Sequence, residues 1–201
     1  MEALTPAQGL ALCRWARASI DAALGGPQRE PELGDWAKQP GACFVTLRWS
    51  AAGADSGKSV DAEGELQGCI GSLEAHRSLV ADVADNAVAA ALRDPRGRRL
   101  GRAELAQLDV EVSLLSPLVP LPVKSEPEAV AALRPHIDGV VLRGAGRRGT
   151  FLPQVWESFS EPGEFLYQLK RKAGLPPQGW EPSYQLFRYT VQKWQSRAPK
   201  S

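Results

Sequence analysis

The sequence predicts an α+β fold: a mostly antiparallel sheet flanked by helices. Three observations lead there. Segments 42–49 and 108–115 alternate apolar and polar residues with a period of two, the mark of half-buried strands. Amphipathic, capped stretches stand between the strand-like segments. Adjacent strand-like segments are joined by turns too short for parallel crossovers. A chain of 201 residues can bury roughly 70% of the surface its unfolded form exposes, so it needs no staples.

The elements follow in order. Thr5 caps a helix, Pro6 suits its first turn, and Gln8 closes a capping box. Leu10, Cys13, Arg17, Ile20 and Leu24 then fall at helical spacing until Gly25-Gly26-Pro27 ends the run. In 42–49, Cys43, Val45, Leu47 and Trp49 share one face, and Phe44, Thr46 and Arg48 the other. Residues 50–65 are small, polar and glycine-rich, a long turn. Residues 66–73 return as a second strand containing Gly68 and Gly71.

The pattern over 78–92 predicts a helix with a stripe of Val80, Val83, Ala87, Val88, Ala91 and Leu92, leaving Asp82, Asp85 and Asn86 off it; Asp94-Pro95 stops it. A basic connection, 93–105, leads to the strand 108–115, with Asp109, Glu111 and Ser113 on its outward face. Residues 118–123 are extended, because prolines bar a helix or a central strand. Ser125 caps a short helix, and 139–143 with 150–153 read as a hairpin. Residues 164–173 form a helix with Phe165, Leu166 and Leu169 inside, closed by Gly174. Residues 186–194 form a last strand, and 195–201 are expected to fray.

Composition narrows the function. There are 24 basic and 23 acidic residues, a net charge of +1, so no overall field recruits nucleic acid or anionic lipid. No run of ~18 apolar residues exists to span a membrane. Only two histidines occur, His76 and His136, and the three cysteines, Cys13, Cys43 and Cys69, form no C-x-x-C pair. No metal site or cofactor motif is expected. The acidic start, with Arg14 and Arg17 interrupting the apolar residues after it, predicts no secretory leader, and hence reduced thiols and a cytoplasmic protein.

Three motifs merit weighing. Residues 144–149, Gly-Ala-Gly-Arg-Arg-Gly, match a dinucleotide fingerprint, but strand-like residues follow where that motif needs a helix. A hairpin loop is the better reading, with Arg143, Arg147 and Arg148 able to hold an anion. Arg93, Arg96, Arg98, Arg99 and Arg102 crowd one connection without the interleaved aromatics that stack bases, so a solvated segment is favoured over a nucleic-acid surface. In Leu66-Gln67-Gly68-Cys69-Ile70-Gly71, glycines strip side chains from around a thiol. Glycine inside a strand marks a bulge or a close approach, and Cys69 is either a nucleophile or an inert packing residue.

That last segment resembles the Leu-Arg-Gly-Cys-Ile-Gly signature of the AMMECR domain family, called AmmeMemoRadiSam system protein A in prokaryotes. Residues 82–96, 108–117, 137–142, 147–156 and 172–175 resemble further blocks of that family in the same order, so the likeness spans about 4–194. Gln67 replaces the family's arginine, and Gly97 stands where an aromatic is common.

The resemblance implies a single domain of two unequal subdomains, with the signature near a cleft between them. It also implies association with Memo-type and radical-SAM proteins. On it rests a candidate site. Cys69 is the nucleophile, with Glu111 and Asp138 moving protons if buried. Gln67, Gly68, Gly71, Arg148, Thr150 and Gln154 are its substrate-binding residues. Two functions remain open: a small-molecule or modification role centred on Cys69, and a non-catalytic partner subunit in which the glycines serve packing.

Overall fold

The structure is a computed structural model describing residues 3–50 and 64–198. The turn expected at 50–65 falls largely outside the described residues. The chain divides into two compact units, one of Met1–Leu115 with Gln192–Ser201, the other of Ser116–Val191. Each carries a four-stranded sheet.

The first unit opens with α1 (Pro6–Ala23), whose capping box is formed by Thr5 and Gln8. β1 (Ala42–Trp49) lies centrally, antiparallel to β2 (Glu65–Gly71) and to β3 (Leu108–Leu115). A strand from the far end of the chain, Val191–Ser196, completes the order β2-β1-β3 beyond β3. α1 and α2 (Leu79–Leu92) pack with one face of this sheet: Cys43, Val45, Leu47 and Trp49 join Leu12, Cys13, Ile20, Val83 and Ala87 in one apolar cluster. The predicted alternation of β1 holds residue by residue.

Two helix faces differ from the expected stripes. On α1, Leu10 is exposed and Gly9 is buried, because the Trp194 indole lies where a Gly9 side chain would be. On α2, Asp82 and Asn86 are buried and Leu92 is exposed. The helix is turned toward the polar pair because both side chains bind the backbone of Cys43 in β1.

The second unit holds β4 (Val119–Leu121), α3 (Glu126–Ala132), β5 (Gly139–Gly144), β6 (Arg147–Phe151), α4 (Pro162–Lys172) and β7 (Gln185–Tyr189), with strand order β4-β7-β5-β6. Pro120 sits on the edge strand β4, where its missing N–H is tolerated. β5 and β6 join through Ala145 and Gly146, both at positive φ, as a two-residue hairpin requires. The glycine-rich motif is therefore a turn. The core gathers Leu142, Trp156, Phe165, Leu166 and Leu169, with the Trp156 and Phe165 rings stacked 3.7 Å apart.

The single strand expected at 186–194 is two: β7 in the second sheet and β8 (Val191–Ser196) in the first, separated at Thr190. Of the tail 195–201, residues 199–201 lie outside the described residues. β8 continues through Ser196, and the Ala198 N–H donates to Asp109 Oδ1 at 2.6 Å.

Candidate functional site

The register of the first sheet places Cys69 of β2, Thr46 of β1 and Glu111 of β3 in one row across three strands. They lie on the face opposite the residues that pack with α1 and α2. Cys69 is half-buried, and Thr46 Oγ1 donates a hydrogen bond to its Sγ at 3.3 Å. Glu111 accepts from Ser113 Oγ at 3.2 Å, and Lys193 Nζ lies 3.7 Å from the same carboxylate. A thiol, a hydroxyl, a carboxylate and an ammonium group thus belong to one sheet face.

The other two thiols are different. Cys13 is fully buried, its Sγ donating to the Trp194 carbonyl at 3.2 Å, and burial pushes its pKa up to about 11. Cys43 is also fully buried; burial first, then the neighbouring Asp82 charge, holds it well above the ordinary thiol range. Cys69 is the one cysteine within reach of solvent.

The backbone around Cys69 is held by side chains the periodicity reading missed. The Cys69 N–H donates to Asp94 Oδ2 at 2.8 Å. Arg96 clamps that carboxylate through Nε at 3.0 Å and Nη2 at 2.6 Å, and Nη2 also donates to the Cys69 carbonyl at 3.2 Å. The Arg96 guanidinium, and then the Cys69 N–H, hold Asp94 far below the usual carboxylate range. The protein's own anion therefore fills the N–H at the thiol's residue. Asp94-Pro95 was legible as a helix stop; its second role required knowing that β2 runs alongside.

Gln67, expected among the substrate-binding residues, is placed in the interior of the first unit. Leu47 pairs with Gly68 but Arg48 pairs with Leu66, so Gln67 is the extra residue of a β-bulge. The bulge turns its side chain inward, to 1% exposure. Its amide accepts from Trp49 Nε1 at 3.0 Å and donates to the carbonyls of Ala91 and Arg98 at 3.1 and 2.7 Å. The Arg98 guanidinium lies 3.6 Å over the Trp49 ring, completing a polar plug. Gly97 packs on Gln67 so closely that a Cβ there would fall on the Gln67 carbonyl oxygen. Gln67 and Gly97 therefore lie against each other.

Gly68 and Gly71 also have packing reasons. A Cβ at Gly68 would fall on the Ala90 carbonyl oxygen of α2, and one at Gly71 on the Phe44 ring.

The remaining candidates belong to the second unit. Asp138 is fully buried, and it is committed: it accepts from Arg134 N, Nε and Nη2 at 3.0, 3.0 and 2.6 Å, while its carbonyl accepts from Trp156 Nε1 at 2.7 Å. That set of bonds fixes the connection between α3 and β5 and joins it to the 3-10 helix that carries Trp156. Thr150 Oγ1 lies 3.3 Å from the Tyr189 hydroxyl, which donates to the Phe151 carbonyl at 3.1 Å. Burial pushes the Tyr189 phenol up to about 12, with the Arg148 charge acting in the opposite direction. Arg148 and Gln154 are exposed, Gln154 in a 3-10 helix, Pro153–Glu157.

The basic connection is dispersed rather than patch-like: Arg96 pairs with Asp94, Arg98 covers Trp49, and Arg102 pairs with Asp21 at 2.6 Å. Among the described residues, no three His, Cys, Asp or Glu side chains gather to hold a metal, and no helix is long and apolar enough to cross a membrane.

Two antiparallel sheets with helices, and a bulged glycine-cysteine strand pinned by an aspartate–arginine pair, define an α+β protein. The AMMECR1 family profile matches residues 13–194, and the chain belongs to the AMMECR1 family. A protein of Methanothermobacter thermautotrophicus is 34% identical over 190 residues, covering 92% of each chain. One of Aeropyrum pernix is 34% identical over 203 residues, covering 99% of this chain and 83% of its own. The crystal structure of uncharacterized protein PH0010 from Pyrococcus horikoshii is similar with a TM-score of 0.78 and 26% identity, covering 98% of this chain and 95% of that one.

Proposed function

We propose that the Cys69–Thr46–Glu111 row is a small-molecule or modification site in which Cys69 forms the bond to the ligand. The observation that carries this is the in-register placement of the three side chains on the face away from the helices. Thr46 Oγ1 donates toward Sγ and so fixes the position of the sulfur on the sheet face. Sγ adds to an electrophilic carbon of the ligand and releases its proton; Glu111, on β3 beyond Thr46, is the carboxylate of the row that receives it, through the Thr46 hydroxyl or water rather than by direct contact. Within the same unit, Gln67 is held by internal hydrogen bonds, and Gly68 and Gly71 are close crossings.

Site-resolved alkylation against pH, read by mass spectrometry on the folded protein, tests the reading. Cys69 is expected to react in the native state while Cys13 and Cys43 react only on unfolding. Thr46→Val is expected to slow Cys69 several-fold with little change in melting temperature. Reaction of all three thiols only on unfolding removes the nucleophile.

A second reading has one observation in its favour: the packing of Gly68 and Gly71 accounts for the signature's glycines without a ligand. In that case the chain is a non-catalytic partner subunit, and its partners are of the Memo type or the radical-SAM type. Capture of such a protein, undiminished by Cys69→Ser, supports it over the first.

A further inference from the structure

We infer that the first unit carries a second binding site, independent of Cys69, for a compact phosphorylated molecule. It is the pocket of about 760 Å³ that α1 and the 3-10 helix Arg102–Gln107 form with Arg29. Its volume falls within the roughly 300–1,000 Å³ typical of small-molecule sites.

The charge in this pocket is one-sided. Arg14, Arg17, Arg29 and Arg102 line it against a single carboxylate, Asp21. Arg14, Arg17 and Asp21 stand at i, i+3 and i+7 on α1, so one helix face presents all three. An overall charge of +1 makes such a local excess conspicuous.

Two of the arginines are already fixed. Arg17 donates through Nη1 and Nη2 to the carbonyls of Leu105 and Leu108, each at 2.6 Å. Arg102 donates from Nε to Asp21 Oδ1 at 2.6 Å and from Nη2 to Oδ2 at 3.4 Å. The other two are uncommitted: among the described residues neither Arg14 nor Arg29 has a hydrogen-bond or ion-pair partner, and both are exposed. Two held cations and two exposed ones form a clamp that a phosphate closes, since guanidinium pairs with phosphate through two parallel N–H bonds.

Leu105 and three alanines supply the apolar part of the lining, with no aromatic ring to stack on a base. Recognition therefore rests on the phosphate groups. Inorganic pyrophosphate, a sugar phosphate and a nucleoside diphosphate share that chemistry.

The test is calorimetric titration of the full chain at fixed ionic strength with inorganic pyrophosphate, ribose 5-phosphate and ADP, and with sulfate as the plain divalent control. The expected result is one saturable site that prefers at least one phosphorylated probe to sulfate by about ten-fold or more, roughly 1.4 kcal/mol. The probe that binds tightest names the source: pyrophosphate an inorganic one, ribose 5-phosphate a sugar phosphate, ADP a nucleotide. The double variant Arg14→Gln/Arg29→Gln, altered only at exposed side chains, is expected to lose that binding with an unchanged melting temperature. Arg93→Gln and Cys69→Ser are expected to bind as the unaltered chain does. Binding no tighter than sulfate for every probe, or full binding by the double variant, overturns the inference. Neither result bears on Cys69.

Discussion

Asp82 receives four donors at once: the Cys43 N–H at 2.9 Å, Ser72 Oγ at 2.6 Å, Arg77 Nε at 2.9 Å and Asn86 Nδ2 at 3.0 Å. A fully buried carboxylate tolerates the loss of water only when its oxygens are satisfied in this way. Asp82→Ala strands these donors, and is expected to cost about 3–5 kcal/mol in urea denaturation. Nothing in the hydrophobic pattern announces this residue, because periodicity counts apolar side chains and sees a buried acid as a gap. The Asp-x-x-x-Asn spacing and the arginine five residues earlier were the available hints. Cys69 was legible because glycines flank it; Thr46 was not, because its partner lies 23 residues away in a register no single strand reveals. The inward turn of Gln67 was hidden for a related reason: the one-residue bulge that produces it leaves no periodic trace.

At the scale of elements, the approach of α2 to β2 is set by Gly68 under the Ala90 carbonyl. Adding one methyl group there forces the helix or the bulge to move. Gly68→Ala is expected to destabilise by about 1–3 kcal/mol, seen as a lower melting temperature and altered exchange of the Cys69 amide. α1, β1 and β3 were readable from caps and alternation, since each signal lies within the element itself. The division of 186–194 into β7 and β8 was not. No glycine or proline interrupts that run, and the break at Thr190 is fixed from outside: the Ser116 N–H donates to the Thr190 carbonyl at 2.9 Å, and the Thr190 N–H donates to Ser116 Oγ at 3.0 Å.

The whole molecule should be sensitive to alkali. Cys13 is raised from 9.0 to about 11, Tyr189 from 10.0 to about 12, and Cys43 well above its ordinary value. The unfolded chain releases these protons at the ordinary values while the folded chain still holds them. Their contribution is complete below pH 9 and is lost as the pH rises through about 12. Urea midpoints are expected to be level across neutral pH and to fall from pH 9 upward, less steeply above pH 10 in Tyr189→Phe. The two-sheet division itself was only partly legible, since strand order depends on pairings between distant segments.

The bonds between Ser116 and Thr190 also bear on how the protein comes off the ribosome. They join the two ends of the second unit, so that unit is an insertion whose entry and exit points are already tied together. The first unit is interrupted by it and must wait: β8, with the Trp194 ring that seats on Gly9, is translated last among its strands. Synthesis therefore completes the inserted unit before the unit that began first. A fragment of residues 116–191 is expected to give a cooperative thermal transition by circular dichroism, and one ending at 115 to give none.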